Sequence, residues 1–94
     1  MNSNRVRVTK LETLNQLDNS LFDNYWVEGI LQEEIEVGKC VTIWRDIRNG
    51  LEVLGYFCSS SVEEITNKTS DGLIFVTKNS IYKLEHVVRK KLNE

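Results

Sequence analysis

A chain of 94 residues makes one domain and buries only about 60–65% of the surface its unfolded form exposes, so its core is small. A composition of 40% hydrophobic and 28% charged residues with five Gly and no Pro excludes a disordered or collagen-like chain. The longest apolar run, Leu73-Ile74-Phe75-Val76, is too short for a membrane-spanning helix, and a net charge of −2 gives no overall excess of positive charge for a polyanion.

The first residues, Met1 to Val8, lack the apolar stretch of a secretion signal, which sets the expectation of a cytoplasmic protein with no membrane association. One domain over 1–94 is expected, with 1–8 and 89–94 as flexible ends. Charge is segregated along the chain. Arg5, Arg7 and Lys10 precede an acid-only stretch holding Glu12, Asp18, Asp23, Glu28, Glu33, Glu34 and Glu36. The last part returns to Lys78, Lys83, Arg89, Lys90 and Lys91 against Glu85 and Glu94. If the ends meet in space, the surface is dipolar and suited to steering a partner.

Thr9-Lys10-Leu11-Glu12 has the spacing of a capping box, in which a hydroxyl and a carboxylate satisfy helix-end amides. Leu11, Leu14, Leu17 and Leu21 follow at three- and four-residue steps. Together they predict a helix over 10–17, ended by Asp18-Asn19-Ser20, with Leu21-Phe22 packed below. From Tyr25 the pattern changes. Tyr25 to Leu31 is aromatic and branched, with Gly29 a candidate bulge. Glu34 to Lys39 alternates and turns at Gly38, and Cys40 to Trp44 predicts a second strand.

Asn49-Gly50 is a strong hairpin signal because both residues tolerate positive φ, and it leads into a strand over Leu51–Phe57. A two-residue turn there sets Ile43 opposite Tyr56, Val41 opposite Cys58 and Trp44 opposite Gly55, with Cys40 and Cys58 on opposite faces. Both faces of the hairpin are then partly apolar, Val41, Ile43, Leu54 and Tyr56 on one and Trp44, Val53 and Phe57 on the other. Ser60-Ser61-Val62-Glu63 reads as a second capping box over a helical turn through Ile65. Leu73–Thr77 and Ile81–Leu84 predict the last two strands, and Val87, Val88 and Leu92 a short terminal helix. The expected fold is mainly β (α+β): a strongly bent five-stranded antiparallel sheet or partly open barrel with one N-terminal helix.

No enzyme signature is present, and the chain is expected not to be an enzyme. Val37-Gly38-Lys39 lacks the glycine-rich loop and following Ser or Thr of a phosphate-binding motif, and one histidine without a nucleophile elbow leaves acyl transfer without its usual base. Glu63 and Glu64 are adjacent and poorly placed as paired carboxylates. Cys58 before Ser59-Ser60-Ser61 reads either as an activated thiol or as a small residue closing a strand. Two cysteines and a distant His86 make no metal site, and no cofactor is expected.

For nucleic acid stand Arg5, Arg7, Arg45, Arg48, Arg89, Lys90 and Lys91, with Trp44 and Tyr56 as stacking surfaces; against it stands the acidic stretch. Thr77, Asn79 and Ser80 either cap their own turn or, with Ser59, Ser60 and Ser61, line a polar pocket for a phosphate, a sugar or a nucleotide-like ligand.

The run Ser60-x-Val62-x-x-Ile65, then Val76-Thr77-x-Asn79-Ser80-x-Tyr82-x-Leu84, resembles one seen in small, functionally unassigned β-rich proteins of bacteriophages and bacteria, over about a quarter of the chain. The resemblance implies a microbial or phage protein, often a modulator or inhibitor of a host component, and carries over no catalytic or binding residue. The leading expectation is therefore a non-enzymatic protein-interaction module, docking on a host protein or a second copy of itself through Trp26, Trp44 and Phe57. Aromatic side chains carry disproportionate interface energy. The alternative is a small-ligand binder using Ser60, Thr77, Asn79 and Ser80.

Overall fold

The computed structural model describes residues 4–14 and 24–87. Six strands follow one another: β1 (Arg5–Thr13), β2 (Trp26–Leu31), β3 (Cys40–Arg48), β4 (Leu51–Thr66), β5 (Gly72–Thr77) and β6 (Ser80–His86). Each pairs antiparallel with the next, and β6 returns to β1 to close a barrel. The described residues contain no helix, and none is long and apolar enough to cross a membrane.

The fold thus differs from the expected five-stranded sheet with an N-terminal helix. The additional strand is β1, whose first half alternates as a strand should: Val6, Val8 and Lys10 point inward and are buried, while Arg5, Arg7 and Thr9 lie on the outer face. Thr9 and Glu12 are ladder residues, opposite Lys83 and Ile81, so they cap no helix. Closure decides the matter. Without β1 the sheet would expose the edges of β2 and β6; with it, Val8 sits between Val27 and Leu84 and both edges are paired. Residues 15–17 of the expected helix, its Asp18-Asn19-Ser20 stop, Leu21-Phe22 and most of the expected terminal helix lie outside the described residues.

The second expected capping box is also strand. Ser60 to Ile65 continues β4, which runs for 16 residues and pairs first with β3 and then, from Val62, with β5. Hydrophobic spacing of three at Val62 and Ile65 arises because Glu63 is an inserted residue between the pairs Val62–Thr77 and Glu64–Val76.

Two further insertions correct the hairpin register. Arg48–Leu51 and Ile47–Glu52 pair as a two-residue turn dictates, but Val53 and Leu54 then face the single residue Asp46. Beyond that bulge every face is exchanged. Trp44 opposes Tyr56, not Gly55, and Ile43 opposes Phe57. A second bulge sets Ser59 and Ser60 against Val41. Cys40 and Cys58 consequently both lie on the outer face as free, exposed thiols, not on opposite faces.

The core gathers Val6, Val8, Tyr25, Val27, Val41, Ile43, Phe57, Val62, Phe75, Tyr82 and Leu84. Tyr82 stacks on Phe75 at 5.0 Å between centroids and meets Phe57 edge-on at 6.0 Å. Gly29, facing Val6 across the β1–β2 ladder, sits where β2 shifts register against β3, and a Cβ there would strike the Trp44 carbonyl and the Arg45 Cα. Gly29→Ala is expected to destabilise the barrel by about 1–3 kcal/mol through forced backbone displacement. Urea denaturation checks this; a change under about 0.5 kcal/mol, the size of a neutral surface substitution, would show that β2 and β3 do not approach so closely.

Candidate functional site

Outward-facing residues form rows across the barrel. One runs Arg5, Ile30, Trp44, Tyr56 over β1 to β4. Trp44 and Tyr56 contact edge-to-face at 4.9 Å between centroids, yet remain 38% and 62% exposed. Leu54 and Leu51 on the same strand are 62% and 69% exposed. Nothing in the barrel covers these four side chains to the extent that core residues are covered. They form an aromatic and aliphatic strip along the β3–β4 hairpin.

Trp26 and Phe57, the other aromatic candidates, lie elsewhere. Trp26 is half-buried at the start of β2, with the Arg7 guanidinium 4.0 Å above its ring. Its amide donates to the Asn49 side chain at 2.9 Å and its carbonyl accepts from the Asn49 amide at 2.9 Å, so the hairpin tip is tied to β2. Phe57 points inward and is 6% exposed. The register shift opposite Asp46 is what separates it from Trp44.

Beside the strip lies an ionic cluster. Arg5 donates through Nε to Glu28 at 2.8 Å and through both terminal nitrogens to Asp46 at 2.9 Å each. Arg7 donates to the second Glu28 oxygen at 3.3 Å. The hydrogen bond with Asp46 above all, and that with Glu28, raise the Arg5 guanidinium above its ordinary value against the opposing effect of burial. The two N-terminal arginines are therefore occupied by acids. Arg45 lies across Gly55, donating to the Val53 and Leu54 carbonyls at 3.0 and 3.5 Å; Arg48 is exposed at the end of β3. Arg89, Lys90 and Lys91 lie outside the described residues.

The structure brings Ser60, Thr77, Asn79 and Ser80 together, but their polar atoms face one another. Thr77 Oγ1 accepts from the amides of Asn79 and Ser80 at 3.2 and 3.1 Å and donates to the Ser80 carbonyl at 3.2 Å. Asn79 Nδ2 donates to Ser60 Oγ at 2.9 Å. Ser59 Oγ accepts from the Val41 amide at 3.0 Å and donates to the Ser60 carbonyl at 2.7 Å, repairing the second bulge. Thr77 and Ser80 are buried, and every buried side-chain polar atom among the described residues has a partner. Two clefts, one lined by Asn67, Leu73 and Lys83 and one by Leu31, Lys68 and His86, lie at the other end of the barrel.

One residue escaped the sequence reading. Lys10 is fully buried on the inner face opposite Tyr82; the alternation Val6-Val8-Lys10 carried that signal, but the helix assignment masked it. Among the described residues no cluster of His, Cys, Asp and Glu is placed to hold a metal ion.

No protein-family model matches the sequence, and no curated protein or solved structure matches it significantly.

Two stability effects follow from this geometry. Glu28→Ala removes the acceptor shared by two arginines at a site where the Glu28 side chain is 6% exposed and that of Arg5 12%. A loss of about 2–4 kcal/mol is expected, between the values for surface and buried pairs; a loss below about 1 kcal/mol would mean that Asp46 alone suffices for Arg5. Thr77→Val leaves two turn amides without their acceptor and is expected to cost about 1–3 kcal/mol. Amide exchange at Asn79 and Ser80 should accelerate with it, and unchanged protection would remove Thr77 from the turn.

Proposed function

We propose that this protein is a non-enzymatic interaction module that docks on a partner protein through the outer face of the β3–β4 hairpin. The observation that carries the reading is the exposure of Trp44, Tyr56, Leu54 and Leu51 on one hairpin of a domain whose core is otherwise enclosed. An apolar strip rimmed by polar groups is the usual mark of a protein-binding surface. The strip is also preorganised. Trp44 and Tyr56 brace each other and the hairpin tip is fixed to β2, which lowers the ordering cost of binding at the aromatic pair.

Charge supports a protein over a nucleic acid. Arg5 and Arg7 carry Glu28 and Asp46 as partners, which leaves Arg45, held on the Val53 and Leu54 carbonyls, and Arg48 as the cations of the hairpin without an acid partner among the described residues, a small positive surface for a phosphate backbone. Among the described residues β4 is paired on one side only from Leu51 to Ser61, which adds a length of strand edge to the apolar strip. The resemblance of Ser60–Ile65 and Val76–Leu84 to small phage and bacterial proteins supports a component of a microbial host as the partner, with modulation or inhibition of that component as the outcome of docking.

The test uses three forms of the full chain: wild type, Trp44→Asp with Tyr56→Asp, and Glu63→Lys as a control away from the strip. Affinity capture from the native host, followed by binding measurements with the purified captured protein, is expected to give one stoichiometric partner. The double variant, folded with an unchanged thermal midpoint, should bind it at least about 30-fold more weakly, because central aromatic anchors contribute about 2 kcal/mol or more. A partner held equally well by the double variant would overturn the assignment of the strip.

A further inference from the structure

At the end of the barrel away from the Asn49-Gly50 turn, the chain leaves β2 at Leu31, enters β5 at Gly72 and ends β6 at His86. A cleft of ≈ 480 Å³ opens between these points, within the range that holds small molecules. Its floor is apolar. Leu84 is buried in the core, and Leu31, Ile35 and Leu73 pack against that core while remaining partly exposed. Leu73 and Leu84 face each other across the β5–β6 ladder, which makes the floor continuous.

The rim is charged, and the signs are separated by element. Glu33 and Glu34 come from the segment that follows β2; Lys68 comes from the β4–β5 connection and His86 from the end of β6. Among the described residues none of these four side chains makes a hydrogen bond or an ion pair. Nearby charges do pair: Lys39 with Glu36 and Lys83 with Glu85, both at 3.6 Å. The cleft therefore combines a partly exposed apolar floor with an acidic side and a basic side, each without a partner among the described residues.

The chemistry of the occupant follows from that division. A wholly apolar molecule would draw water from three charged groups and an imidazole and give them nothing in return. A simple anion would meet Glu33 and Glu34, and a simple cation would meet Lys68. A small zwitterion with an apolar body satisfies both sides: its carboxylate toward Lys68 and His86, its ammonium toward the two glutamates, its side chain over Leu31, Leu73 and Leu84. We propose that this cleft binds an apolar zwitterion of the α-amino acid or dipeptide class. This site lies on different residues from the docking strip on the β3–β4 hairpin, so either assignment can fail alone.

The experiment is a methyl and amide NMR titration of the full chain with L-phenylalanine and with L-leucyl-L-phenylalanine. Saturable shifts confined to Leu31, Ile35, Leu73, Leu84 and His86 are expected with at least one of the two. N-acetyl-phenylalanine, which lacks the ammonium, and phenylalaninamide, which lacks the carboxylate, should each bind about tenfold more weakly or worse, the size of one lost charge-assisted hydrogen bond. Lys68→Ala should weaken phenylalanine about tenfold and leave phenylalaninamide unaffected; Glu33→Gln with Glu34→Gln should do the same for phenylalanine and leave the N-acetyl compound unaffected. All these positions are exposed, so the variants are expected to fold. No saturable shift with either zwitterion would overturn the proposal, and so would equal binding of the blocked analogues.

Discussion

Opposite Asp46, β4 places two residues, Val53 and Leu54, where an even ladder would place one. Because side chains alternate along a strand, that insertion exchanges inside for outside over the rest of the hairpin. Ile43 and Phe57 become core residues, and Trp44 and Tyr56 become surface. The same irregularity holds Gly55 at φ 148°, a conformation that disfavours any side chain, and Arg45 fills the space where one would stand. It also leaves Asp46 on the outer face within reach of Arg5, so the register of one hairpin and the ion pairing of the first strand are a single arrangement.

Closure of the barrel then follows from what the remaining strands bury. β1 contributes Val8 between Val27 and Leu84 and Val6 between Gly29 and His86, and the tyrosine of β6 sits between Phe57 and Phe75. Polar groups drawn inward are matched locally: Ser59 repairs the second bulge and Thr77 closes the β5–β6 turn. Unmatched amides in a core this small would cost a large part of a stability that is only about 5–15 kcal/mol for any domain. The hydroxyls at this end are thus accounted for by the fold itself.

From Tyr25 onward most strand segments are legible because their cues are local, the second half of β4 over Ser60–Ile65 excepted. Branched and aromatic residues mark β2 and β3, Asn49-Gly50 marks the hairpin turn, and Thr77 to Ser80 mark the last turn. β1 is not legible, because the Leu11–Leu14 spacing and the Thr9–Glu12 pair imitate a helix start while the competing signal, Val6-Val8-Lys10, contains a lysine at an inward position. Only the gain from pairing both neighbouring edges favours the strand, and that gain is not local. The bulges were hidden for the same reason. Nothing in Val53-Leu54 announces an inserted residue; the sign is indirect, in that an even register leaves both faces of the hairpin partly apolar. The candidate site inherited the error, since Trp44 and Phe57 were grouped as anchors before the insertion separated them. Glu33, Glu34 and Lys68 gave no signal at all, because their association depends on where two connections meet at the barrel mouth.

A barrel of this size has few apolar side chains to commit, and their distribution is therefore informative. Inward positions of all six strands already supply a closed core. Trp44, Leu51, Leu54 and Tyr56 add little to it, and their exposure carries a solubility cost that polar residues at the same outward positions would avoid. Small side chains do occupy the neighbouring outward positions Thr42 and Cys58, so the strand geometry does not require large apolar groups there. The hairpin is long, tied to β2 at its tip and braced by an aromatic pair, features that hold an apolar surface in place without hiding it. Such a surface makes physical sense in a folded domain when another protein covers it.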